Sequence, residues 1–243
     1  MDYIFKGSKV HYEIFGNGDK EVVFLHGWGG SINSFSFISK DLNFSYKALF
    51  VDFPPFGDSE EPKETLTIFD YADMVQQIME REGFKRPLMV GHSFGGRVAI
   101  ILANKNLADG LILTASAGMK VRHGIKYYYK IYKHKLCKRF GLKSSGGSSD
   151  YKMLSQNMKK TFINIVNTNL EKYAINIGVP CVLVWGKKDK DTPFYMAKKL
   201  NKLIKESEII AYKHCGHFCY LEKYAEFVAI INSFSKSNNI QVK

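Results

Sequence analysis

The segment PLMVGHSFGG, residues 87–96, decides how this chain folds. Its first four residues form a short apolar run typical of a buried strand, and the residues from Phe94 to Asn106 have the composition of a helix. The glycines at 91 and 95 indicate a turn so tight that bulky side chains there would collide with their surroundings. We therefore expect a strand, a sharp turn and a helix, with Ser93 at the apex and Gly96 giving the helix room to approach the sheet.

Strand and helix patterns alternate on both sides of this segment. The predicted strands are Val10–Phe15, Glu21–Leu25, Tyr46–Val51, Pro87–Val90, Gly110–Thr114, Cys181–Trp185 and Glu208–Tyr212. The predicted helices are Leu66–Glu82, Phe94–Asn106, one from about Pro193, and Tyr220–Phe234. Most of the strand patterns are nearly continuous apolar runs, which suit parallel strands buried on both faces. The order predicts an α/β fold with a mostly parallel, twisted sheet of about eight strands flanked by helices.

The alternation is interrupted between residues 119 and 178, where the sequence is basic, aromatic and helical in texture. One apolar stripe at helical spacing consists of Ile125, Tyr128, Tyr129, Tyr132, Leu136 and Phe140. We interpret it as a surface helix, in preference to a membrane-binding one. A Gly- and Ser-rich stretch, SSGGSSD, follows at 144–150. The predicted core domain is therefore residues 1–118 with 179–243, and residues 119–178 are an insertion.

Most of the net positive charge of the chain lies in that insertion. The 243 residues are 45% hydrophobic, which excludes a disordered or collagen-like chain, and the formal net charge is +12. Nine Lys and Arg and no acidic residue lie between Met119 and Ser149. Lys outnumbers Arg by 30 to five, whereas proteins that read base edges depend on the Arg guanidinium. We therefore expect no nucleic-acid partner.

The compartment prediction is cytoplasmic. Residues 1–16 have the pattern of paired strands and lack the apolar stretch of an export signal. No run reaches the roughly 18 apolar residues of a membrane span. Four cysteines are too few for a disulfide framework in a chain of this size. The HCGHFC segment at 214–219 lacks the second pair of ligands that a structural zinc site needs, so we expect no metal.

Candidate partners for Ser93 follow later strands. A serine nucleophile needs a base within hydrogen-bond reach and an acid that orients the base. Asp189 comes after the strand at Cys181–Trp185, and His217 comes after the strand at Glu208–Tyr212. Loops beyond the carboxyl ends of parallel strands share one crevice. The sequence therefore predicts Ser93, Asp189 and His217 as a catalytic set.

Asp189 and His217 each have a competing residue nearby in the sequence. Asp191 competes with Asp189, but it precedes Thr192 and Pro193, which have the pattern of a helix N-cap and first helical residue. His214 competes with His217, but it lies closer to the strand and lacks a preceding glycine.

Two further polar residues lie near the predicted crevice. His92 is expected to point away from the apex of the turn and to support the structure. Asp52 ends a strand before FPPFGDS, and we interpret it as a carboxylate that braces a loop.

A glycine-rich turn, HGWGG at 26–30, directly follows the strand at Glu21–Leu25. Acyl transfer needs two donors aimed at the developing oxyanion, and such a turn can direct backbone N–H groups toward the serine. We assign this role to the amides of Trp28 and Phe94. A phosphate-binding loop is excluded, since the turn has neither GK[ST] nor a G-x-G-x-x-G pattern.

With these pieces placed, the sequence resembles the α/β-hydrolase superfamily. More narrowly, it is similar to the lidded esterases, lactonases and meta-cleavage C–C bond hydrolases. The matching motifs are HGWGG (26–30), DFPPFGDS (52–59), GHSFGG (91–96), WGKKD (185–189) and GHF (216–218). Pro55 stands where the family usually has glycine. Haloalkane dehalogenases and epoxide hydrolases carry Asp at the position of Ser93, which argues against both activities.

The resemblance implies a helical lid at 119–178 over the active site and a serine hydrolase that uses no cofactor. The expected substrate is a small carboxylic ester, cleaved through Ser93, His217 and Asp189. C–C bond hydrolysis of a vinylogous diketone acid, or thioester or lactone cleavage, is the alternative. A ligand-binding receptor on the same scaffold is the alternative outside enzymes. The oligomeric state has no signature in the sequence.

Overall fold

The apolar runs pair into one eight-stranded sheet within residues 1–120 and 154–237, the part of the chain that the computed structural model describes. The strands are β1 (Asp2–Phe5), β2 (Ser8–Phe15), β3 (Lys20–Leu25), β4 (Tyr46–Val51), β5 (Leu88–His92), β6 (Gly110–Thr114), β7 (Cys181–Gly186) and β8 (Ser207–Tyr212). Their order across the sheet is β1-β2-β4-β3-β5-β6-β7-β8. The predicted α/β fold of about eight strands is confirmed.

Parallel pairing places the functional loops at one edge of the sheet. Only β1 with β2 and β2 with β4 pair antiparallel, and the other five pairs are parallel. Leu25 is in register with Gly91, and Thr114 is in register with both His92 and Val184. The carboxyl ends of β3, β5, β6 and β7 therefore meet at one edge, where the candidate residues follow their strands.

Helices cover both faces of the sheet. They are α1 (Ile68–Arg81), α2 (Phe94–Asn104), α3 (Gln156–Asn167), α4 (Glu171–Ala174), α5 (Tyr195–Leu203), α6 (Cys219–Glu222) and α7 (Tyr224–Ser237). Helix α1 begins two residues later than predicted, because Thr67 caps it with its hydroxyl on the Asp70 amide. The predicted closing helix is divided at Lys223 into α6 and α7. None of the described helices is long and apolar enough to span a membrane.

Alternate residues of β3 pack into opposite halves of the core. Val23 and Leu25 belong to a cluster with α1 and α2, whereas Val22 and Phe24 belong to a cluster with α7. In the second cluster, the ring of Phe24 stacks on that of Phe50 with a centroid distance of 4.7 Å. Burial on both faces explains why the parallel strands have no polar alternation in the sequence.

Helix α3 lies in the predicted insertion and is fastened to the core. The Thr161 hydroxyl accepts a hydrogen bond from the Leu66 amide at 3.0 Å, and both groups are buried. The Asn157 amide donates to the Pro62 carbonyl at 2.7 Å. After the helix, the Arg97 guanidinium donates to the Thr168 carbonyl at 2.9 Å.

The lid itself stays a prediction. The apolar stripe of residues 125–140 and the SSGGSSD stretch at 144–150 lie outside the described residues, and so does most of the basic segment. The contacts of α3 concern only the C-terminal part of the range 119–178.

Replacing Thr161 by Val tests the attachment of α3. The variant keeps the shape of the side chain but leaves the buried Leu66 N–H without an acceptor, which should lower the free energy of unfolding by about 1–3 kcal/mol. Urea denaturation of wild type, Thr161→Val and Thr161→Ser measures the effect. The serine variant keeps the hydroxyl, so a loss as large as that of the valine variant would contradict the role of this hydrogen bond.

Candidate active site

Ser93 lies between β5 and α2 in a strained turn. Its backbone has φ +50° and ψ −106°, a conformation that residues other than glycine rarely adopt. The turn is held from both sides, since the Ser93 amide donates to the Thr114 carbonyl at 3.1 Å and its carbonyl accepts from the Ala117 amide at 3.0 Å. The strand, turn and helix therefore present Ser93 at the sheet edge, as the sequence predicted.

The glycines of this turn are required by close backbone contacts. A Cβ atom on Gly95 would lie 2.0 Å from the carbonyl oxygen of Leu25, and one on Gly91 would lie 2.8 Å from that of Gly95. Neither backbone could give way without moving the sheet or the helix. The collision that the sequence predicted at both positions is therefore confirmed.

His217 and Asp189 are brought together beside this turn. The Nδ1 atom of His217 is 2.9 Å from Oδ2 of Asp189, whose side chain is fully buried. The competing residues Asp191 and His214 are both exposed. The backbone amide of Asp191 donates to Oδ1 of Asp189 at 2.8 Å. An acid that holds one ring nitrogen of a histidine leaves the other free to act as a base.

Thr192 binds the same carboxylate, a role that the sequence analysis missed. Its hydroxyl is 2.7 Å from Oδ2 of Asp189 and 2.9 Å from the Ala115 carbonyl, and its amide donates to Oδ1 of Asp189 at 2.9 Å. The predicted N-cap role of Thr192 is wrong, because the helix begins at Tyr195 with Phe194 as its N-cap. The signal available in the sequence was a hydroxyl residue three positions after the candidate acid.

The hydrogen bonds to Asp189 outweigh its burial. Burial alone would raise the pKa of the Asp189 carboxyl, but the bonds from His217 and from the amide and hydroxyl of Thr192 lower it. The carboxyl is therefore ionised at neutral pH and can stabilise a protonated His217.

His92 supports His217 through a hydrogen bond to its backbone and also lines the cavity. Its Nε2 atom lies 3.1 Å from the His217 carbonyl oxygen, to which it donates, and the two rings are 4.7 Å apart. Burial, together with the nearby His217, lowers the pKa of His92 to about 3. The predicted supporting role fits this neutral ring, although the ring lies at the site instead of pointing away from it.

The HGWGG turn is rigid around a second neutral histidine. Nδ1 of His26 donates to the Gly27 carbonyl at 2.7 Å, and its Nε2 accepts from the Phe53 amide at 2.9 Å. Burial lowers the pKa of His26 to about 4. Asp52 braces the same region, since its two carboxylate oxygens accept from the amides of Ile32 and Asp58. The interpretation of Asp52 as a loop-bracing carboxylate is confirmed.

The two amides predicted to bind an oxyanion belong to Phe94, the residue after Ser93, and to Trp28, which lines the same cavity as Ser93. Among the described residues, no hydrogen bond engages the amide of Trp28 or that of Phe94. The Trp28 ring packs edge-on against Phe94 at 5.5 Å and against Phe162 of α3 at 5.2 Å. The Trp28 side chain is thus fixed by aromatic packing, while the Gly30 amide of the same turn donates to the Gly27 carbonyl at 3.0 Å.

These residues surround one cavity of about 150 Å³. The cavity is lined by Trp28, Ser34, His92, Ser93, His217, Phe218 and Tyr220, together with the glycines of the HGWGG turn. It contains no Lys, Arg, Asp or Glu among its described lining residues. The candidate nucleophile and base therefore face the same uncharged space.

Possible metal ligands form two groups in the described parts of the chain. One is His11, Asp52 and Asp58, and the other is Asp189, Asp191 and His217. Both oxygens of Asp52 and of Asp189 already accept hydrogen bonds from protein groups, which accounts for the two carboxylates without an ion. Within the described residues, Cys215 and Cys219 of the HCGHFC segment belong to neither group.

Comparisons with known proteins agree with this architecture. A model of the α/β-hydrolase fold matches residues 20–128. The AB hydrolase superfamily protein YisY of Bacillus subtilis (strain 168) is 26% identical to this chain over 93% of its length and 94% of that protein. A 2-hydroxy-6-oxononadienedioate/2-hydroxy-6-oxononatrienedioate hydrolase from Pseudomonas sp is 21% identical over 93% of this chain and 92% of that protein.

A solved structure has the same fold over nearly its whole length. The esterase EaEST from Exiguobacterium antarcticum superposes with a TM-score of 0.75 at 21% identity, covering 95% of this chain and 96% of that one. The eight-stranded sheet, the strained turn at Ser93 and these matches lead to one conclusion. The chain has the α/β-hydrolase fold, and the matching family model and curated relatives support its placement in the α/β-hydrolase superfamily.

Proposed function

We propose that this protein is a serine hydrolase that cleaves small carboxylic esters through an acyl-enzyme intermediate. The observation that supports it most directly is the 2.9 Å contact between His217 and buried Asp189 beside a cavity that Ser93 also lines. A strained turn that presents a serine, a histidine base and a buried acid are the parts that acyl transfer by a serine requires.

The proposed reaction has two halves. Nε2 of His217 takes the Ser93 proton while the hydroxyl attacks the ester carbonyl, and ionised Asp189 stabilises the imidazolium. The amides of Trp28 and Phe94 donate to the oxyanion of the tetrahedral intermediate. His217 returns its proton to the leaving alcohol. Water that His217 then deprotonates attacks the acyl carbonyl and releases the acid and the Ser93 hydroxyl.

The lining of the cavity favours a neutral substrate. Its described residues offer a substrate carboxylate no Lys or Arg partner, and a buried charge without a partner is costly. A small neutral ester needs no such charged partner. The alternative, C–C bond hydrolysis of a vinylogous diketone acid by the same three residues, is supported by the names of the Pseudomonas relative and of similar solved structures. Thioester or lactone cleavage by the same residues is a further alternative.

We propose that residues 119–178 are a lid inserted into a core of 1–118 and 179–243, a division that fits the position of α3 and α4 between β6 and β7. A cytoplasmic location is consistent with Cys181, Cys215 and Cys219, which are free thiols.

Replacing Ser93 by Ala should abolish the nucleophile, and kcat on p-nitrophenyl acetate should fall by at least about 1,000-fold. Asp189→Asn and His217→Gln should also cause large losses. His214→Gln provides a matched control that should stay within about twofold of wild type, because its side chain is exposed. Asp191→Asn, which changes the competing acid, should lose far less activity than Asp189→Asn. Full turnover by Ser93→Ala would overturn the mechanism.

Replacing Thr192 by Val tests how the acid is positioned. Without the hydroxyl donor, the Asp189 carboxylate becomes more basic and stabilises the protonated imidazole of His217 more strongly. The acidic limb of the kcat/KM profile should therefore move to higher pH, and kcat should fall by about tenfold as the acid loses its orientation.

Two features make the Thr192 profile interpretable. His26 and His92, with pKa values of about 4 and 3, stay neutral through the range in which a histidine base titrates. Thr192→Ser keeps the hydroxyl and should keep the wild-type profile. A Val profile that coincides with the wild type would contradict the proposed role.

The substrate class is tested by comparing two compounds on one enzyme preparation. We expect kcat/KM for p-nitrophenyl butyrate to exceed that for a dienoate ring-fission product by at least about tenfold, since the acid has no described cation to pair with. Faster turnover of the dienoate would reverse the assignment and make the esterase activity secondary.

A further inference from the structure

A second, larger depression adjoins the cavity at Ser93. It has a volume of about 660 Å³, more than four times that of the cavity. The two share Gly29, Gly30, Ser34, Phe218 and Tyr220 as lining residues. We refer to this depression as the groove. Its continuity with the cavity means that a ligand bound at Ser93 can extend into it.

Aromatic and aliphatic side chains line the groove. Phe37 and Phe56 are half-buried there, whereas Phe218 and Leu221 are 52% and 46% exposed. Leaving large apolar side chains in water loses the free energy that their burial would provide. An apolar ligand in the groove would recover it for both residues.

The described lining of the groove is uncharged. Among its described lining residues there is no Lys, Arg, Asp or Glu, and its polar groups are the neutral ones of Ser31, Asn33, Ser34 and Tyr220. An ionic tail would have no partner there. The chemistry of the walls therefore fits a neutral hydrocarbon chain.

We propose that the groove binds the unbranched apolar chain of the ester substrate while the ester carbonyl lies at Ser93. This inference rests on the proposed esterase function and adds a chain-length preference to it. Short esters fit the cavity alone, whereas a chain of about eight carbons must leave a cavity of this size and enters the space bounded by Leu221 and Asn33. The chain can belong to the acyl or the alcohol part of the ester, and the experiment separates these two sources.

The test uses two substrate series on purified full-length protein. One varies the acyl chain, with p-nitrophenyl acetate, butyrate and octanoate, and the other varies the alcohol chain, with ethyl, butyl and octyl acetate. Leu221→Ser removes an apolar lining side chain, and Asn33→Trp fills the groove from an exposed position in the 3₁₀ turn at Ile32–Ser34. Ile175→Ser is the matched control, because Ile175 is 57% exposed and does not line the groove.

We expect both groove variants to lower kcat/KM for the octyl member of one series by about fivefold and to leave the acetate or ethyl member within twofold. The affected series identifies the chain as acyl or alcohol. Unchanged chain-length profiles in both series would overturn the proposal. Loss of a wild-type dimer in Leu221→Ser, seen by size-exclusion chromatography with unchanged profiles, would overturn it too and assign the groove to a second copy.

The proposed function can fail separately. If Ser93→Ala abolishes turnover of p-nitrophenyl acetate but the groove variants change no profile, the esterase assignment stands and the groove assignment falls. If no ester is turned over by wild type, binding of the neutral esters octyl acetate and ethyl acetate to Ser93→Ala, measured by calorimetry, still tests the groove. Octyl acetate should then bind more tightly than ethyl acetate, and Leu221→Ser should remove most of the difference.

Discussion

The contact between the backbone of Gly95 and the carbonyl of Leu25 is the constraint on which the rest of the site depends. It brings the start of α2 against the end of β3, and the chain can reach that position from β5 only through the strained backbone of Ser93. The same approach sets the Phe94 amide beside the HGWGG turn. One close contact therefore positions the candidate nucleophile and both candidate oxyanion donors, and a single added methyl group would separate them.

Asp189 is positioned in a different way, because its carboxylate accepts hydrogen bonds from several groups at once. Asp189 accepts from His217, from the hydroxyl of Thr192 and from two backbone amides, those of Asp191 and Thr192. The backbone donors fix the rotation of the carboxylate before any substrate arrives. Oδ2 of Asp189 is therefore held in a fixed direction toward Nδ1 of His217. This favours a single orientation and a single tautomer of the His217 ring.

Most of the fold could be predicted from the sequence because β3–β8 are nearly continuous apolar runs that end in turn residues. Ser93, Asp189 and His217 could be placed together because each follows a parallel strand, and such strands end at one edge. Thr192 could not be recognised, since its contact with Asp189 depends on how the loop after β7 folds back, which no periodicity encodes. The division of the last helix at Lys223 and the attachment of Thr161 to Leu66 are also tertiary effects.

Helix α3 has a consequence for protein engineering. Its buried contact with Leu66, its bond to Pro62 and the packing of Phe162 on Trp28 make it part of the scaffold that supports the glycine turn. A chimaera that exchanged the entire range 119–178 would remove these supports. An exchange confined to residues 121–153 would instead leave α3 with its own core.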